Sequence, residues 1–109
     1  MYIRLFANAN NSDEALQILD RAIYSIKNDI ETQEIVKLEP YWKIEGVYIV
    51  ETNIVLRERI KEEQLKHFLN EIADKWIFYG GHVNEALTSE TTQGCNYIKK
   101  GINMINIFY

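Results

Sequence analysis

The amino-acid sequence predicts an α+β fold: one antiparallel β-sheet with two helices on one face. Three observations carry that expectation. Short segments near the start, middle and end alternate apolar and polar residues, the period of a strand. Two longer segments place apolar residues at steps of three and four, the period of a helix. The order of these segments is strand, helix, strand, strand, helix, strand, with an extra C-terminal strand. At 109 residues the chain fits a single domain, residues 1–109, around one core.

Each element has its own warrant. Residues 2–7 put Ile3, Leu5 and Ala7 on one side and Tyr2, Arg4 and Phe6 on the other, as in a half-buried strand. Residues 8–12 read as a loop, and Asn11 followed by Glu14 has capping-box spacing. From residue 13 to about residue 30, Ala15, Leu16, Leu19, Ala22, Ile23, Ile26 and Ile30 form one helical stripe. Residues 34–38 make a second strand, stopped by Pro40. Residues 43–56 are the clearest strand. Ile44, Tyr48, Val50, Ile54 and Leu56 share one face, while Glu45, Val47, Ile49, Glu51, Asn53 and Val55 share the other. Residues 61–75 form a second helix whose stripe is Leu65, Phe68, Leu69, Ile72 and Trp76. Its outer face offers Glu62 with Lys66 and Glu71 with Lys75 as i,i+4 pairs. A strand begins at residue 76, breaks at Gly80-Gly81 and resumes around Val83, Ala86 and Leu87; residues 102–109 are the last strand.

This order resembles the ferredoxin-like β-α-β-β-α-β sandwich across nearly the whole chain. The resemblance implies that both helices cover one sheet face and that the other face is open. Tyr2, Phe6, Val47, Ile49 and Val55 would project from that open face, which is apolar enough to require a cover. Residues 102–109 folding back, the strands twisting shut, a second copy of the chain, or another protein would each serve.

Charge and composition exclude several functions. Twelve Lys and Arg against sixteen Asp and Glu give a net charge of −4. Nucleic-acid binding draws its affinity from cations that neutralise phosphates, and residues 76–98 carry no Lys or Arg. Residues 5–9, Leu-Phe-Ala-Asn-Ala, resemble the first-strand motif of RNA-recognition modules. The matching third-strand positions are Val47 and Ile49, which have no aromatic face for a base to stack on. No nucleic acid is therefore expected. The longest apolar runs are too short to span a bilayer, so no membrane is expected either, and the start of the chain lacks a secretory pattern. A single cysteine, Cys95, precludes an internal disulfide or a multi-cysteine zinc site. The expected location is cytoplasmic.

Catalytic residue types are sparse. His67 on the second helix reads as a partly buried structural histidine, and Cys95 as an inert thiol. His82 with Glu85 supplies two ligand types three residues apart, fewer than zinc requires. No catalytic residue, metal or cofactor is assigned. Pro40-Tyr41-Trp42 stands out instead, because Tyr and Trp are enriched at the energetic centres of protein interfaces. From residue 29 to residue 63 there are nine acids and five bases, a balance suited to a basic protein partner.

The functional expectation is a non-enzymatic protein-binding module, most concretely an immunity protein that neutralises a basic toxin domain. Its partner-binding residues are Glu39, Tyr41, Trp42, Glu45 and Glu51. The alternative is a homodimeric ferredoxin-like enzyme or small-ligand binder with a pocket at the open sheet face, for which Tyr79, His82 and Glu85 are the residues to test.

Overall fold

The computed structural model describes all residues, 1–109. In chain order they form β1 (Tyr2–Asn8), α1 (Ser12–Ala22), a 3₁₀ helix (Tyr24–Asp29), β2 (Ile30–Pro40) and β3 (Val47–Leu56). These are followed by α2 (Glu62–Ile72), β4 (Ile77–Tyr79), β5 (Glu85–Ser89) and β6 (Ile102–Phe108). The six strands make one open sheet in the order β2-β3-β1-β6-β5-β4, with every neighbouring pair antiparallel. No helix is long and apolar enough to cross a membrane.

The alternation in β1 organises the whole. Ile3 pairs with Thr52 on one side and Ile107 on the other, and Leu5 pairs with Val50 and Ile105. Antiparallel partners share a face, so these residues present one apolar surface. Ala15, Leu19 and Ala22 of α1 and Phe68, Leu69 and Ile72 of α2 close on it in a single core cluster. Both helices therefore cover the same face, as the sequence pattern predicts. Complete burial of such a side chain stabilises by roughly 1.5–3 kcal/mol, whereas an i,i+4 ion pair contributes about 0.3–0.5 kcal/mol. The apolar stripe, not the Glu62–Lys66 pair at 3.6 Å, fixes the seat of α2.

Local chemistry sets the element ends. The Asn11 side chain accepts a hydrogen bond from the Glu14 backbone N–H at 2.9 Å, and the Glu14 carboxylate accepts one from the Asn10 N–H at 2.8 Å. The predicted capping box thus forms, with its return bond one residue early. α1 ends at Ala22 rather than running to Ile30. The chain tightens into the 3₁₀ helix, whose i,i+3 repeat keeps Ile23 and Ile26 on the core side. Trp76 completes the α2 stripe, and its indole N–H is shared between the Leu69 and Ala73 carbonyls at 2.9 and 3.1 Å.

Four expectations need correcting. β3 starts at Val47 rather than at residue 43; residues 43–46 belong to the turn, and Ile44 is exposed there instead of sharing the strand's face. β2 covers eleven residues rather than five; its irregular register around Glu31 and Val36 breaks the period-2 pattern that would have revealed its length. The extra C-terminal strand does not fold back over the open face. β6 lies inside the sheet beside β1, with Tyr2 opposite Phe108, and β4 and β5 form a hairpin beyond it. His67 is not partly buried: its side chain is 70% exposed and lies 3.6 Å from Glu71, while Glu71 makes no ion pair with Lys75.

At the entry to β6, Gly101 has φ +91°, and a Cβ there would lie 2.8 Å from the buried Ile18 side chain. Both the backbone angle and the space exclude a larger residue. Gly101→Ala should lower unfolding free energy by about 1–3 kcal/mol in urea titration, the scale of overpacking a closed core. Gly80→Ala, with nothing within 4 Å of the new methyl, should stay within about 0.5 kcal/mol of wild type.

Candidate protein-binding surface

The sheet face opposite the helices carries Tyr2, Arg4 and Phe6 of β1 and Val47, Ile49 and Glu51 of β3, in register across the strands. Phe6, Val47 and Ile49 form a small second core, covered partly by Met104 of β6 and partly by Tyr41. The Tyr41 ring meets Phe6 edge-on, with centroids 4.9 Å apart at 69°, and the Tyr41 N–H donates to the Val47 carbonyl at 2.8 Å. The turn between β2 and β3 thus folds its first aromatic residue over the open face. This is an intramolecular cover, supplied by the β2–β3 turn and not by residues 102–109.

The next residue behaves oppositely. Trp42 is 83% exposed, the most exposed large apolar residue of the chain. Lys43 Nζ sits 5.1 Å from the centre of its ring, within cation–π range. Gly46, at φ +80°, reverses the chain into β3 and lets the turn stay short. Glu45 is exposed in the same turn, and Glu39 is exposed at the end of β2, 3.6 Å from Lys37. Four of the five predicted contact residues, Glu39, Tyr41, Trp42 and Glu45, therefore gather at one corner of the sheet. Tyr41 is half-buried there, and the other three are open to solvent.

Glu51 lies apart from them in environment. It is 8% exposed and accepts a hydrogen bond from the Tyr2 hydroxyl at 2.6 Å and one from Arg4 Nε at 3.3 Å. Lys37 Nζ lies 3.7 Å away. Arg4 is itself held 6.0 Å from the centre of the Phe108 ring. Burial is the largest single influence on the Glu51 carboxyl and acts to raise its pKa. The Tyr2 hydrogen bond, Arg4 and Lys37 together outweigh it and hold the pKa below the usual 4.5. The same hydrogen bond, with burial, raises the Tyr2 phenol above 10.0 and keeps it a donor. Sequence alternation correctly placed Glu51 on the open face. It contained no sign that three neighbours on two other strands would engage it.

Of the residue types suited to chemistry, Tyr79, His82 and Glu85 share one hairpin, and Cys95 lies beside Asp74. Tyr79 and Glu85 oppose each other across the β4–β5 hairpin and His82 lies in its turn, but the Glu85 carboxylate is engaged by Asn106 Nδ2 at 2.6 Å. The Cys95 thiol donates to Asp74 Oδ1 at 3.4 Å and to the Tyr97 carbonyl at 3.2 Å. Asp74 also accepts from the Tyr97 and Asn96 N–H groups; the Tyr97 bond is the main reason its pKa is lowered. The thiol thus meets a carboxylate and a carbonyl rather than the imidazole or cation that accompanies an activated cysteine. No three His, Cys, Asp or Glu side chains converge as a metal site. The principal clefts lie near Arg57, Arg59 and Ile60 and around Tyr24, and neither the hairpin trio nor Trp42 lines them.

No family model, curated protein or solved structure matches this chain.

The Glu51 network carries a pH signature. A carboxyl whose pKa is depressed by folding contributes stability above its unfolded value, and that stability is lost as pH falls through the folded value. Wild type should therefore lose stability relative to Glu51→Gln as pH falls below about 4.5, converging with the variant once Glu51 is protonated. Thermal unfolding at stepped pH reads this out; parallel acid limbs for the two proteins would remove the network's role.

Proposed function

We propose that this chain is a protein-binding module with a ferredoxin-like core, in which β2-β3-β1-β6 supply the four strands of that core and β5-β4 extend it beyond β6. On this reading it is a cytoplasmic toxin-neutralising immunity protein that receives a basic partner at the β2–β3 corner. The observation that carries the reading is Trp42, 83% exposed beside a residue of the same turn that is packed down onto Phe6. A turn pinned at its base presents its aromatic tip with little ordering left to do on binding. Glu39 and Glu45 flank it with negative charge.

Magnitudes separate the roles. Burying an exposed Trp removes on the order of 150–200 Å² from water, roughly 4 kcal/mol before association costs. An exposed ion pair is worth about 0–1 kcal/mol. Trp42 would therefore carry affinity, and the two glutamates would act mainly on encounter rate. Glu51, already neutralised inside the chain by Arg4 and Lys37, would add no free charge to the corner.

Affinity capture from the native cell with immobilised wild type, followed by mass spectrometry, should return a basic protein. Trp42→Ala should bind it at least about tenfold more weakly. The Glu39→Lys, Glu45→Lys double variant should slow association at low salt and leave dissociation nearly unchanged. Equal retention by Trp42→Ala would remove the corner as the binding surface, and an unaltered on-rate would remove steering.

A further inference from the structure

The two rims of the sheet are built in opposite ways. The β2 rim is protected: Glu31, Glu34, Lys37 and Glu39 are spaced along it, register shifts interrupt it and Pro40 closes it. The β4 rim has neither charges, register shifts nor proline, and only its three-residue length limits it. Residues 76–84, Trp-Ile-Phe-Tyr-Gly-Gly-His-Val-Asn, contain no Asp, Glu, Lys, Arg or Pro. Ile77, Phe78 and Tyr79 are 42%, 59% and 51% exposed, although they belong to the sheet. β4 pairs only with β5, so its outer edge is left free for another strand.

We infer that this edge pairs with the β4 edge of a second copy of the chain, joining two sheets about a two-fold axis at Phe78. Charge favours a second copy. Two molecules of net charge −4 repel wherever their acids meet, but β4 and its turn bring none. The acids of β2 lie five strand spacings away, about 24 Å, which is several Debye lengths in physiological salt. Of the acids closest to β4, Glu85 is on the inner strand and held by Asn106, and the Asp74 carboxylate is engaged by the Asn96 and Tyr97 N–H groups. Geometry favours it too. An antiparallel two-fold sets Phe78 opposite Phe78 on one face and Ile77 opposite Tyr79 on the other, all cross-strand pairs of the stabilising aromatic or aliphatic kind. Three residues supply few backbone hydrogen bonds, so these side chains provide most of the contact. The Trp42 corner, at the opposite rim, stays free in each copy.

Light scattering across a concentration series should show the mass rising from 12.9 kDa toward twice that value. Phe78→Lys should weaken the self-association at least about tenfold without changing the far-ultraviolet spectrum, and Trp42→Ala should leave it intact. In a Cys95→Ser background, Phe78→Cys should oxidise readily to a covalent dimer, because facing Cα atoms in an antiparallel pair lie about 4.5–5.5 Å apart, within disulfide reach. The more exposed Trp42→Cys should not. A chain that stays at 12.9 kDa at every concentration overturns the inference and leaves the edge to a strand of another protein. So does a dimer that persists in Phe78→Lys, or equal cross-linking through position 42.

Discussion

The structure depends on the two-sidedness of β1. Because successive side chains leave a strand in opposite directions, seven residues provide both the floor of the main core and the centre of the other face. Ile3, Leu5 and Ala7 meet the helices, and Tyr2, Arg4 and Phe6 meet Glu51, Met104 and Tyr41. A one-residue slip of β1 against β3 or β6 would exchange these sets and bury Arg4 beneath the helices. The register is therefore fixed twice, by apolar packing on one face and by a charge network on the other.

The second face shows how a sheet can be covered without a layer of helices. Its apolar half is closed by one folded-back tyrosine and one methionine, and its polar half by mutual neutralisation of Glu51 with Arg4 and Lys37. Each device leaves a neighbour exposed. Tyr41 turned inward sends Trp42 outward, and Glu51 turned inward leaves Glu39 and Glu45 as the accessible acids of the corner. The proposed recognition surface is thus continuous with the packing that closes the sheet.

What the sequence disclosed followed physical regularity. Strand alternation in β1 and β3, the stripe of α2 and the Asn11 cap are local and periodic, and the structure keeps them, with β3 starting four residues later than its pattern suggests. Features set by non-local pairing were hidden. The shifts near Glu31 and Val36 scrambled the parity of β2, and nothing near residue 102 shows that β6 will insert beside β1. The burial of Glu51 depends on Tyr2, Arg4 and Lys37, as far as 49 residues away in the chain. The exposure of Trp42 was equally invisible, because an aromatic pair in a turn can point either way and only the Phe6 ring selects Tyr41. His67 shows the opposite error: adjacency to Phe68 suggested shelter, yet consecutive helical residues diverge by about 100°.

Placing β6 inside the sheet has a consequence for biosynthesis. The partner of Tyr2 is Phe108, so one whole side of the central strand waits for the last part of this sequence to leave the ribosome. Until then the nascent chain carries an unpaired apolar edge in its middle rather than at its periphery. Closing it requires a loop of about a hundred residues, the kind of long-range contact that slows folding and invites chaperone capture.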